Sequence, residues 1–145
     1  MVIPLDNERT CEGVVECTAL VLAEGCTELE DKLTLFGILD EIRPSGGGDT
    51  SFVVYAKFEG CEHASDSDPR MARILITDED GVIIDESEEF SAWLDGPENS
   101  TTVVSGFGIP DDFGEGGGRV LWVEAILDDE ALAQTAVRLR EPYNV

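Results

Sequence analysis

Apolar residues in this chain come in short blocks with a period of two or none, never in long stretches with a period of 3.6. Phe52-Val53-Val54-Tyr55-Ala56, Ile74-Leu75-Ile76 and Ile83-Ile84 are typical: two to five residues, rich in β-branched or aromatic side chains, in segments separated by Gly, Pro, Asp and Ser. That is the pattern of β-strands. Strands are expected near Val14–Ala23, Leu33–Ile42, Phe52–Phe58, Met71–Thr77, Val82–Glu86, Phe90–Leu94, Thr101–Phe107, Arg119–Leu127 and Ala131–Leu139. This spacing predicts an all-β chain folded as a two-sheet antiparallel β-sandwich. At 145 residues the chain is read as one domain, 1–145, able to bury an ordinary core without metal or disulfide.

The turns have identifiable chemistry. Asp80-Gly81 separates two β-branched runs, and glycine accepts the positive φ of a tight hairpin. Asp128-Asp129-Glu130 is expected to close a terminal hairpin, while 44–49 and 114–118 are glycine-rich connections. Thr27–Lys32 is the one segment whose composition admits a helix. The predicted core includes Leu35, Ile38, Val54, Leu75, Ile84, Trp122 and Val123. Two strands, Leu33–Leu39 and Phe52–Ala56, are apolar on both faces. A strand touching only a core should alternate, so the surplus admits a homodimer.

The run Lys32-Leu33-Thr34-Leu35-Phe36-Gly37-Ile38-Leu39-Asp40-Glu41-Ile42 follows a cysteine-containing strand. It precedes a Phe-Val-Val strand, an Asp-Gly hairpin and a final hairpin. Together these resemble an uncharacterised family of small bacterial β-sandwich domains with a "KLTLxGIFDxI"-type segment. The resemblance implies an immunoglobulin-like or C2-like sandwich and supplies no activity. The chain departs from that pattern in its extra glycine- and acid-rich loops.

Charge narrows the function classes. Thirty-two acids against nine basic residues give a formal net charge of −23, spread along the chain without a segregated tail. Such a surface repels nucleic acid and anionic lipid. A cation, a protein with a basic face, and adaptation to salt are the readings left open. No leader is expected in Met1-Val2-Ile3-Pro4-Leu5-Asp6, and no apolar run approaches 18 residues, so the expected compartment is the cytoplasm. Cys11, Cys17, Cys26 and Cys61 lack zinc spacing and are read as reduced thiols.

Acidic loops are the weak metal candidates: Asp66 and Asp68 in one, Asp78, Glu79 and Asp80 in another, Asp111 and Asp112 in a third. Loops at one end of a sandwich can pool carboxylates around Ca²⁺. The Asp78–Gly81 stretch is no EF-hand, because Ile76 occupies the first ligand position. Cys61-Glu62-His63 contains the sole histidine and falls short of a zinc set or a nucleophile pair. Neither glycine-rich stretch precedes Lys-Ser/Thr, and no Gly-x-Ser-x-Gly elbow exists. No catalytic residue or cofactor is assigned. The leading expectation is a non-enzymatic binding or structural module with a protein partner. The alternatives are an acidic nucleic-acid mimic that blocks a DNA- or RNA-binding protein, and a calcium-dependent binding module.

Overall fold

The computed structural model describes residues 15–43, 50–60, 70–92, 100–109 and 119–140. In chain order the strands are β1 (Glu16–Leu29), β2 (Lys32–Ile38), β3 (Glu41–Ile42), β4 (Thr50–Glu59), β5 (Arg70–Asp78), β6 (Ile83–Glu86), β7 (Phe90–Ala92), β8 (Ser100–Ile109), β9 (Arg119–Leu127) and β10 (Glu130–Leu139). No helix occurs among the described residues.

The strands form two sheets. One has the order β2-β1-β4-β8; the other runs β3-β10-β9-β5-β6, with β7 also paired to β5. This is an immunoglobulin-like sandwich: β1, β4 and β8 correspond to the A, B and E positions, and β5, β9 and β10 to C, F and G. All pairs are antiparallel except β3–β10, where Arg138 and Leu139 lie beside Glu41 and Ile42 in parallel. The chain thus changes sheets at Leu39-Asp40, where one continuous strand, Leu33–Ile42, was expected.

The core lies between the sheets and follows the pleat. From the first sheet Leu22, Phe52, Val54, Ala56, Phe58, Phe107 and Ile109 point inward; from the second come Ile42, Ala72, Ile74, Ile76, Leu121, Val123, Ala125, Leu127, Val137 and Leu139. Phe52 stacks on Phe107 at 5.8 Å between ring centroids. Of the seven residues expected in the core, Val54 and Val123 are buried. Leu75 and Trp122 are half-buried instead, because their alternate phase also carries Arg73 and Glu124 and so forms the outer face of the second sheet. Ile84 is half-buried on the short edge strand β6. Leu35 is half-buried and Ile38 exposed, because β2 pairs with β1 alone at the edge of its sheet.

Thr27–Lys32 is a hairpin, not a helix. β1 runs to Leu29, which pairs with Lys32 across Glu30 and Asp31 at φ 51° and 63°. Two successive positive φ values define the type I′ turn, whose twist matches that of paired strands. Asp128 and Asp129, at φ 48° and 68°, repeat the device between β9 and β10, as the expected terminal hairpin requires.

Candidate functional site

The first sheet ends in two edges without a further strand among the described residues: the outer edge of β2 and the outer edge of β8. An edge strand presents alternate N–H and C=O groups outward, a template for another strand. At β8 the edge is part of a groove. A cleft of about 670 Å³ runs between Thr101–Gly106 of β8 and Glu86–Ser91, the link from β6 into β7.

The lip of this cleft is held by local hydrogen bonds. Ser87 donates its N–H to the Ile74 carbonyl at 2.9 Å, and its Oγ accepts from the Ile74 N–H at 2.8 Å. The same hydroxyl donates to the Glu88 carbonyl at 3.0 Å. The link therefore continues the ladder of β5 beyond β6. Phe90 packs its ring against Phe58, with centroids 6.3 Å apart, which anchors the far end of the lip in the core. At the other end Asp85 Oδ2 accepts from the Gly108 N–H at 3.4 Å and ties β6 to β8.

The cleft combines apolar and hydroxyl side chains from β8 (Val103, Val104, Thr102, Ser105) with the carboxylates of Glu86, Glu88 and Glu89; among the described residues no basic one lines it. Glu86 is engaged by Arg73 at 3.1 Å, while Glu88 and Glu89 are exposed on the lip. The arrangement can bind an extended backbone along an edge and a positive charge at its rim. Among the described residues it brings together no nucleophile–base pair and no set of metal ligands.

The sequence-based metal candidates fall differently. Asp66 and Asp68 lie outside the described residues, as do Asp111, Asp112, Cys61 and His63. Asp78 and Asp80 share one turn, but Asp78 is used by the fold. Its Oδ1 accepts from the N–H groups of Asp80 at 2.8 Å and Val82 at 2.9 Å, and its Oδ2 faces Arg119 Nη2 at 3.7 Å. The side chain is 92% removed from solvent, with 8% exposed. Glu79 turns away to Arg119 Nε at 3.1 Å and the Val120 N–H at 3.0 Å. Among the described residues no three His, Cys, Asp or Glu side chains converge on one point. Cys17 donates its Sγ–H to the Ala19 carbonyl at 3.2 Å, and burial pushes its thiol pKa up. It is a packing residue.

Sequence reasoning missed the cleft because its two walls are distant along the chain. A signal existed: the acidic run Glu86-Ser87-Glu88-Glu89 stands directly before a short strand, and Ser100–Ile109 is a long strand without any charge.

No protein-family model and no curated protein matches the sequence. Among solved structures the fold is similar to part of the Pseudomonas fluorescens alkylpurine DNA glycosylase AlkC, solved bound to DNA containing an abasic site analogue. The TM-score is 0.52 at 13% identity, covering 87% of this chain and 30% of that one. An immunoglobulin-like protein from Pseudomonas aeruginosa aligns over 88% of this chain and 98% of its own, at 16% identity and a TM-score of 0.42. Bifidobacterium dentium β-glucuronidase, complexed with coumarin-3-O-glucuronide, aligns over 88% and 18%, at 12% identity and a TM-score of 0.47. The chain spans less than a third of the glycosylase, and at that identity the likeness is one of fold.

Proposed function

We propose that this chain is a non-enzymatic protein-binding module, and that its partner supplies an extended, basic segment that lies along the outer edge of β8. The observation that carries this reading is the 670 Å³ cleft, in which the edge of β8, with no further strand beside it among the described residues, faces a lip bearing exposed carboxylates. Strand addition of this kind draws affinity from main-chain hydrogen bonds and selectivity from alternate side-chain pockets. The threonines and valines of β8 would receive the partner's small or apolar side chains. Glu88 and Glu89 would receive its lysines or arginines. At a net charge of −23, long-range attraction would also speed encounter with a basic partner. The DNA bound by the glycosylase does not carry over, because the same charge repels phosphate. The reading places the module in the cytoplasm.

The test is titration of the full chain with a ten-residue peptide alternating Val and Lys, followed by calorimetry at 0.15 M salt. The expected result is saturable one-to-one binding, weakened at least tenfold by Glu88→Lys with Glu89→Lys. Charge reversal at Glu130, the exposed first residue of β10, is the control for general attraction to an acidic protein, and should change affinity by less than twofold. Absence of binding, or equal weakening by both changes, would overturn the assignment.

A further inference from the structure

The second open edge carries a different chemistry. Beyond Ala23 the pairing of β1 with β4 stops, and Gly25–Leu29 pair with β2 alone. This is a two-stranded ribbon, which by itself is marginal in water; a third strand is what normally stabilises such a unit. Beside exposed Glu24, Glu28, Glu30 and Asp31 it also exposes four large apolar side chains. Leu29 is 74% exposed, Ile38 63%, Phe36 51% and Leu33 37%.

We propose that the outer edge of β2 pairs antiparallel with β2 of a second copy about a two-fold axis, forming a homodimer through a continuous sheet. This goes beyond the peptide cleft, which lies at the opposite edge of the same sheet. Two observations select a second copy. The first concerns repulsion: two chains of −23 can meet only where acid is absent, and Lys32–Leu39 contains one lysine and no acid. The second is complementarity. In an antiparallel self-pair centred on Phe36, Thr34–Ile38 pair, and Lys32 of each copy flanks Asp40 of the other just past the end of β2. Among the described residues no ion pair involves Lys32, and Asp40 is exposed. The same register sets Phe36, whose ring lies over Gly25 of its own protomer, opposite its own copy. Opposite residues on antiparallel strands share a face, so Thr34 meets Ile38 on the face of Phe36. A self-complementary strand of this kind is an isologous interface, which closes at two copies.

Sedimentation equilibrium of the full chain at 0.15 M salt tests this. The expected species is a dimer across roughly 5–500 µM protein, as a standard-size interface would give. Thr34→Lys with Ile38→Lys places charge on the interface at two exposed positions and should weaken dimerisation at least a hundredfold. Circular dichroism of that variant should retain the sandwich spectrum, since neither side chain enters the core. Lys32→Asp should weaken the dimer at least tenfold, and Lys32→Asp combined with Asp40→Lys should restore it. A monomer at every concentration overturns the proposal. So does a dimer indifferent to the paired lysines, or a charge swap that fails to rescue.

Discussion

Asp128 is where one carboxylate serves both a turn and a strand. Its Oδ1 accepts from the Met71 N–H at 2.9 Å and its Oδ2 pairs with Arg70 Nε. These hold the Asp128 carboxyl below the usual carboxylate range, the Met71 hydrogen bond contributing most and Arg70 next. A depressed folded pKa favours the fold wherever the group is ionised in both states. The stabilisation is therefore complete well above the ordinary value of about 3.9 and lost as pH falls through the lowered folded value. Asn keeps the oxygen and tolerates the positive φ, so Asp128→Asn isolates the charge. Its cost should be about 0.5–1 kcal/mol at pH 7, small because the pair is largely exposed, and should be lost at an acid pH below the lowered folded value. Urea denaturation at the two pH values measures this; an equal cost at both would refute it. Glu41, beside Arg140, and Glu59, which receives hydrogen bonds from Thr18 and Lys57, are lowered in the same direction. Thr50 behaves oppositely: its Oγ1 is buried and finds no partner among the described residues. An unpaired buried hydroxyl costs about 1–3 kcal/mol. Thr50→Val should raise stability by about 1 kcal/mol, and a loss in chemical denaturation would show the hydroxyl to be satisfied.

Strands are the scale at which the sequence was most readable, and the errors have one cause. Existence and order followed from short β-branched blocks, so β4, β5, β8, β9 and β10 fall within two residues of expectation. The phase of each strand was harder, because Leu75 and Trp122 look more core-like than Ala72 and Ala125. A single charge decides it: Arg73 and Glu124 share the phase of Leu75 and Trp122 and must face out. Leu121→Ala should therefore cost about 2–5 kcal/mol, whereas Leu75→Ala should cost less than about half of that. Equal costs in denaturant unfolding would contradict the assigned faces. The β1–β2 ribbon was illegible for a different reason. Glu30-Asp31 lacks the Asn-Gly signal of a type I′ turn, so both residues adopt left-handed backbone at a cost of about 1–2 kcal/mol each. Replacing Glu30-Asp31 with Asn-Gly should raise the melting temperature; a decrease would mean that the turn is not type I′. The cleft was hidden because topology, not spacing, brings Glu86–Ser91 beside Thr101–Gly106.

At the scale of the whole molecule charge dominates, and it sets the response to salt. Nine basic residues face thirty-two acids, so pairing cannot neutralise the surface. Arg70, Arg73, Arg119, Arg140 and Lys57 already hold partners, which are Asp128, Glu86 and Asp129, Asp78 and Glu79, Glu41, and Glu59. The remaining acids repel one another more strongly in the compact fold than in the open chain, where they lie farther apart. Two like charges 4 Å apart in water repel by about 1 kcal/mol, and many weaker terms act at longer range. The Debye length falls from about 30 Å at 0.01 M salt to about 8 Å at 0.15 M, which removes most of the long-range part. The surface ion pairs weaken over the same interval, but each is worth at most about 1 kcal/mol and they are few beside the acids. The melting temperature at pH 7 should therefore rise between 0.01 and 0.15 M NaCl without divalent ions. Measuring it at two protein concentrations tenfold apart separates association from screening, because only association shifts with concentration. A flat or falling melting temperature would mean that the acids are already compensated. An equal rise with micromolar Ca²⁺ alone would instead locate a specific cation site, because so dilute an ion barely changes the Debye length.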